Sequence, residues 1–291
     1  MKGTIVKGIA GFYYVKPENG GDPIQCKARG LFRKDGKKPY VGDHVLFEQE
    51  EDQDGFITEI LDRTNVFIRP PIANVDCFVI VCAAAKPAPN LQVLDQFLVM
   101  VEKEQVEALV VFNKVDCADE ATIERLREIY EGLYPVFFVS AKTGEGVEEL
   151  KERFRGKQSA LAGPSGVGKS TLLNAIIGDE RMETGQISAK TGRGKHTTRH
   201  AELFSLSEGD GMIFDTPGFT SFEILEAEED QLQFLFPEMA PYAGQCRYDD
   251  CRHRKEPDCA VRQALEEGKI HPSRYESYLT FLETIQQKKK Y

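Results

Sequence analysis

The sequence predicts a multi-domain chain of three classes: a small all-β barrel of OB type over 1–68, a central α/β domain over 69–224 and a mainly helical module over 225–291. Three observations carry this. Residues 1–65 alternate with period two in short segments broken by turns. From about residue 72, apolar strands alternate with helical segments. Beyond about 225, three cysteines and a histidine crowd together among helical stretches.

The barrel rests on five segments: Thr4–Lys7, Phe12–Val15, Ile24–Lys27, His44–Phe47 and Phe56–Ile60. Turn residues at Glu18-Asn19-Gly20-Gly21, Lys34-Asp35-Gly36, Val41-Gly42-Asp43 and Asp54-Gly55 separate them. Five short strands without a helix suggest closure, and the OB barrel is a common oligonucleotide-binding module of that kind. Arg69-Pro70-Pro71 reads as a stiff boundary. In the α/β part the strands are Phe78–Cys82, Leu109–Phe112, Val136–Val139, Ala160–Ala162 and Met212–Phe214. The helices are Leu91–Glu104, Glu120–Glu131, Val147–Phe154 and Ser170–Ile177, and a last helix runs from Pro272 to Lys290.

Composition narrows the function classes. With 41% hydrophobic and 29% charged residues the chain is globular, and its longest apolar run, Cys77 to Ala85, is too short to span a bilayer. No membrane role and no signal peptide are expected, and a cytoplasmic monomer is. Seven cysteines there argue against disulfides. Cys26, Cys77, Cys82 and Cys117 read as packing residues. A net charge of −10 speaks against a nucleic-acid partner only if charge is spread evenly. It is not: bases concentrate at Lys27–Lys38, Lys190–Arg199 and Lys288-Lys289-Lys290. Each cluster fits either phosphate contacts or an ordinary solvated surface.

Gly163-Pro164-Ser165-Gly166-Val167-Gly168-Lys169-Ser170 fits G-x-x-x-x-G-K-[ST], between an apolar strand and a helix opening at Thr171. That setting is a P-loop. Glycines let backbone N–H groups curl toward phosphate oxygens, Lys169 offsets their charge, and Ser170 ligates Mg²⁺. The P-loop leaves the base open; Asn113-Lys114-Val115-Asp116 supplies it. A carboxylate at Asp116 accepts from guanine N1–H and the 2-amino group, a pair adenine lacks. Asn113 can reach N7 and O6, the Lys114 stem can cover the base, and the Ser140-Ala141-Lys142 loop offers a backbone N–H to O6.

Asp215-Thr216-Pro217-Gly218 follows a strand, with Asp215 placed to hold Mg²⁺ through water and Gly218 to meet the γ-phosphate. Within Gly194–Arg199, Thr198 is the candidate to close the Mg²⁺ shell when GTP is present. The position after Gly218, where many Ras-like GTPases carry a water-orienting glutamine, is Phe219. His196 is therefore the candidate catalytic residue, with a contact to rRNA or solvent as its alternative role. Base motifs precede the P-loop here, the reverse of the ordinary order. Compact domains tolerate such rotation when the old termini lie close.

Cys246-x₄-Cys251-x-His253-x₅-Cys259 offers three thiols and an imidazole in a polar segment, a donor set suited to one structural zinc ion. Unrelated buried cysteines are the alternative. Taken together, the barrel, the rotated GTPase motifs and the Cys-Cys-His-Cys cluster resemble one family over nearly the whole chain, the circularly permuted ribosome small-subunit-dependent GTPase A. The resemblance implies a bacterial GTP hydrolase stimulated by the small (30S) ribosomal subunit, which it binds, with its rRNA, late in assembly. GTP and GDP as ligands, with Mg²⁺ and Zn²⁺, follow from the motifs. A metabolic ATPase or kinase is the enzymatic rival, opposed by Asn113–Asp116. A nucleotide-regulated RNA-binding protein, with hydrolysis incidental, is the other.

Overall fold

The computed structural model describes residues 1–28, 38–49, 54–68, 70–178, 201–206, 211–215 and 227–288. In chain order the strands are β1 (Lys2–Ile9), β2 (Phe12–Pro17), β3 (Ile24–Ala28), β4 (His44–Glu48), β5 (Gly55–Ile60), β6 (Val66–Ile68), β7 (Pro71–Ala73) and β8 (Cys77–Ala83). Then come α1 (Leu91–Lys103), β9 (Glu107–Asn113), α2 (Glu120–Tyr130), β10 (Val136–Val139), α3 (Val147–Glu152), β11 (Gln158–Ala162) and α4 (Lys169–Ile177). The chain ends with β12 (Glu202–Ser205), β13 (Met212–Asp215), α5 (Ala260–Glu266) and α6 (Pro272–Lys288). These elements form two compact units. One comprises Met1–Phe78, Val147–Leu161 and Lys169–Thr220; the other comprises Val79–Gly146, Ala162–Gly168 and Ser221–Tyr291. Among the described residues no helix is long and apolar enough to cross a membrane.

In the first unit the period-two segments close on themselves. β1 pairs with β2, β2 with β3, β3 with β5, β5 with β4, and β4 with β1, only β3–β5 being parallel. Alternation then turns one face of each strand inward, and Ile5, Val15, Cys26, Val45, Phe47 and Ile57 are fully buried there. Past the barrel, β6 and β7 form a hairpin with Ile68 opposite Pro71. The expected stiff boundary at Arg69-Pro70-Pro71 falls at this pairing, with Arg69 outside the described residues, and Pro71 opens its strand, where a proline is tolerated. β11 runs parallel to β13, and β12 pairs antiparallel with both β13 and β1, where Lys7 and Glu202 form an ion pair at 2.8 Å. The sequence does not mark β12, because only Leu203 and Phe204 are apolar between Glu202 and Ser205, with neither an apolar run nor an alternation.

In the second unit the strand order is β10-β9-β8, with β9 and β10 parallel. β8 is buried along its whole length, as its unbroken apolar run requires. Side chains of Asn90 and Asp119 cap α1 and α2, accepting from Val93 and Thr122 amides. The acidic helical stretches expected beyond 225 are absent from 227–259. A 3₁₀ turn at Leu232–Leu235 is followed by successive turns, and Pro237, Pro241, Gly244 and Pro257 interrupt any helix there. Leu232, Phe236, Met239, Tyr278 and Leu282 form the apolar core of this segment.

A buried polar cluster lies inside this unit. Arg274, fully buried on α6, meets Asp95 of α1 at 2.5 Å and Glu238 at 2.6 and 3.2 Å, while Tyr130 donates to Asp95 at 2.8 Å. Burial pushes the Asp95 carboxyl above its usual range, with Arg274 opposing that shift. Removing the shared cation would leave two buried carboxylates facing one another. Arg274→Ala is therefore expected to cost about 3–5 kcal/mol, the range for breaking a buried ion pair, read as a fall in urea midpoint. A loss below about 1 kcal/mol, the level of an exposed pair, would contradict this.

Candidate nucleotide site and metal centre

Parallel pairing sets Asn113 of β9 opposite Val139 of β10, so both strands end at one edge and Ser140 emerges beside Asn113. Loops at the carboxyl ends of parallel strands are where α/β folds build ligand sites. Asn113, 2% exposed, binds on both sides of its amide: Oδ1 accepts from the Ala141 N–H at 3.0 Å, and Nδ2 donates to the Val167 carbonyl at 2.9 Å. One side chain thus ties the N-K-x-D strand to the S-A-K loop and to the P-loop. Lys114 adopts a left-handed conformation (φ 68°), and its ammonium donates to the carbonyls of Lys86 at 2.8 Å and Gly166 at 2.6 Å.

Asp116 lies exposed at the loop, with its carboxylate oriented by two donors. The buried Ser140 hydroxyl donates to Oδ1 at 2.7 Å, and the Cys117 thiol to Oδ2 at 3.3 Å. The Ser140 hydrogen bond, the largest cause, holds the Asp116 carboxyl below the usual carboxylate range. Cys117 is exposed rather than packed as expected; it sits in the 3₁₀ turn Val115–Cys117 with the last two residues of the motif. Cys26, Cys77 and Cys82 are buried. Of the Ser140-Ala141-Lys142 loop, expected to offer a backbone N–H to guanine O6, the Ala141 N–H is donated to Asn113, and the next amide along is that of Lys142.

Two P-loop glycines are required by space as well as conformation. A Cβ on Gly163 (φ 136°) would stand 2.1 Å from the Val81 carbonyl oxygen. One on Gly168 (φ 93°) would stand 2.5 Å from Asn113 Nδ2. Ser165 and Gly166 are exposed, Pro164 is half-buried and Val167 is buried. Lys169 and Ser170 open α4, whose first amides have no partner within the helix and can therefore bind an anion; Thr171 follows. Burial alone lowers the Lys169 ammonium to about 8, a strain that an anion beside it would relieve. Asp215 ends β13, whose Phe214 pairs with Ala160 of the P-loop strand β11. His196, Thr198, Gly218 and Phe219 lie outside the described residues.

The second cluster has metal-site dimensions. Ligand atoms of Cys246, Cys251, His253 and Cys259 all lie within 4.8 Å of one another. Cys246 and Cys259 sulfurs are 3.8 Å apart, and His253 Nδ1 is 3.3–3.5 Å from the three sulfurs. A tetrahedron with metal–sulfur bonds of about 2.3 Å and metal–nitrogen bonds of about 2.0–2.1 Å has edges of about 3.8 and 3.5 Å. The residues fit such an ion. His253 Nε2 lies 2.6 Å from Gln233 Oε1, which fixes the proton there and leaves the Nδ1 lone pair toward the thiols. Tyr275 donates to the His253 carbonyl, and Tyr278 to that of Arg252 at 3.3 Å. Burial raises the Cys251 thiol to about 12 and the Cys259 thiol as well, so a cation is what would favour their thiolates.

The model of a family described as RsgA GTPase matches residues 60–225, and one described as the RsgA N-terminal domain matches residues 2–57. The chain belongs to the RsgA GTPase family. It is a GTPase with motifs in circularly permuted order. A protein named small ribosomal subunit biogenesis GTPase RsgA, from Clostridium perfringens (strain SM101 / Type A), is 46% identical over 98% of both chains. Another so named, from Bacillus velezensis, is 43% identical over 99% of this chain and 98% of its own. Among solved structures, YjeQ from Thermotoga maritima superimposes with a TM-score of 0.86 at 40% identity, over 98% of each chain. YloQ, described as a circularly permuted GTPase, gives 0.83 at 36% identity, over 99% of this chain and 95% of its own.

Several participants carried no sequence signal. The Lys86 and Val167 carbonyls act through the backbone, Gln233 is an ordinary surface residue type, and Arg274 is buried against the habit of its kind. The metal cluster yields a direct test. The purified chain is expected to carry one ion, and Cys251→Ser to lose it and expose the C-terminal segment to protease, because metal binding in small sites is folding free energy. A metal-free preparation with a protease-resistant C-terminus would contradict the assignment.

Proposed function

We propose that the chain is a GTP hydrolase of late small (30S) ribosomal subunit maturation, which binds rRNA and couples its GTP state to release from the subunit. The observation that carries this reading is its near-full-length likeness to proteins bearing that biogenesis name. Three modules divide the work: a barrel at 1–68 toward RNA, a GTPase at 69–224 and a zinc-bearing module at 225–291, in a cytoplasmic monomer. RNA contacts fall to the basic clusters, of which Lys27, Lys38 and Lys288 are described. Lys27 pairs with Asp54 at 3.2 Å and lies over the Phe12 ring.

In this reading Asp116, already ionised and oriented by Ser140, accepts from guanine N1–H and the 2-amino group. An amide nitrogen carries two hydrogens, so Asn113 Nδ2 keeps one for N7 beside its bond to Val167. Lys142, the amide next to the one spent on Asn113, donates to O6. The P-loop from Gly163 to Gly168, with Lys169 and Thr171, cradles the phosphates of GTP or GDP, and Gly218 meets the γ-phosphate. Ser170, Thr198 and Asp215 would hold Mg²⁺, which offsets phosphate charge when bound. Zinc suits the Cys₃His donor set through its soft thiolates, and supplies a cross-link rather than chemistry. Asp116→Asn is expected to bring GTP and ATP affinities within about tenfold, since matched polar sites discriminate by about 10⁴ or more. Undiminished selectivity in competition binding would refute the base assignment.

Phe219 has no hydrogen-bonding group to offer the attacking water, so His196 is proposed to orient it or accept its proton. GTP turnover should be slow alone and rise when purified small subunits are added. His196→Ala should cut the stimulated rate by roughly 10²-fold with nucleotide affinity retained. Stimulation surviving in that variant would remove His196 from the mechanism, and no stimulation of the parent would remove the subunit. In the same subunit assay, neutralising Lys34, Lys37 and Lys38 should flatten the salt dependence of binding, and an unchanged slope would return them to solvated surface.

A further inference from the structure

The outer surface of the second unit carries a groove that neither the nucleotide site nor the metal centre uses. It runs between the C-terminal end of α1, the start of β9 and the 3₁₀ turn, with a volume of about 710 Å³, and Glu102, Lys103, Val106, Glu107, Phe234 and Leu235 line it. Phe234 is 53% exposed. A single exposed aromatic on a loop is unremarkable, but this one is fixed. Leu232 and Phe236 on either side are fully buried. Between them, Gln233 binds His253 of the metal cluster at 2.6 Å and donates to the Asp230 carbonyl at 3.0 Å. With both neighbours anchored inward, the ring cannot turn into the core. A rigid aromatic on the wall of a groove is the form an interface anchor takes.

Charge then decides what the groove can receive. Glu102 and Glu107 line it, and Glu104 and Asp230 adjoin it in sequence, against Lys103 alone. Phosphates would be repelled here, so the surface disfavours RNA and favours a cation-bearing chain. We propose that this groove docks a Lys/Arg-rich peptide segment of a partner protein, one apolar side chain of which packs on Phe234. Under the assembly reading above, on which this identification of the partner rests, that protein belongs to the small subunit; the chemistry of the groove is tested without it.

The probe is a short labelled peptide of alternating Lys and Leu, titrated into the full chain by fluorescence anisotropy, with a Lys-Ser peptide of equal charge beside it. Saturable binding of the Lys-Leu peptide is expected. Phe234→Ser should weaken it about tenfold, a loss ordinary for an aromatic anchor, and Glu107→Lys should weaken both peptides. Equal affinity of parent and Phe234→Ser for the Lys-Leu peptide would overturn the proposal, leaving only diffuse attraction to an acidic surface. So would no binding by a parent chain of intact metal content. A photoreactive group at position 234, irradiated with purified small subunits bound, should label a subunit protein; labelling of rRNA would overturn the proposal. If the parent fails to bind subunits, the assembly reading fails instead, while the peptide titration still decides the groove.

Discussion

The candidate site depends on one amide. Asn113 is buried at the end of β9, and its two polar atoms hold two loops distant in sequence, Val167 of the P-loop and Ala141 of the S-A-K loop. An unpaired amide at that depth would cost about 1–3 kcal/mol for each atom left unsatisfied, which favours the two loops forming together. Gly168 exists because Asn113 is there: any side chain would meet its nitrogen. Lys114, one residue on, repeats the arrangement through Gly166 and Lys86. The base-reading and phosphate-holding loops are therefore one structure, although 46 residues lie between Asp116 and Gly163 in the sequence.

This also explains why rotated motif order does no harm. Each motif sits at the carboxyl end of a parallel strand, and register, not chain order, places it: Asn113 opposite Val139 in one unit, Ala160 opposite Phe214 in the other. The C-terminal segment joins the second unit through Arg274, which grips Asp95 on α1. Helix α1 begins at its cap Asn90, a few residues beyond Lys86, whose carbonyl holds Lys114. Two hydrogen bonds, with the chain segment 86–95 between them, thus link the C-terminal segment to the base loop.

Much of this was legible in the sequence. The barrel followed from period-two alternation, the α/β part from strand–helix alternation, and the P-loop, N-K-x-D and Cys/His motifs from residue types whose chemistry admits few alternatives. What was not legible depends on tertiary partners. The β6–β7 hairpin hid behind two prolines that read as a boundary, and β12 has only Leu203 and Phe204 between polar residues. The acidic segment beyond 225 looked helical until its prolines were weighed. The donation of Ala141 to Asn113 could not be read, because it depends on the register of two strands. The exposure of Phe234 also has no mark in the sequence, since it depends on the burial of Leu232 and Phe236 on either side.

The central claim, that Asn113 joins base recognition to phosphate binding, is tested most directly by amide hydrogen exchange of the P-loop in Asn113→Ala and Asp116→Ala. The account predicts that Asn113→Ala raises exchange across Gly166–Ser170 and at Ala141, and weakens guanine nucleotide binding. Asp116→Ala should weaken binding while leaving P-loop exchange at the parent level. Unchanged P-loop protection in Asn113→Ala, with only base selectivity lost, would contradict it and reduce Asn113 to a contact with the base.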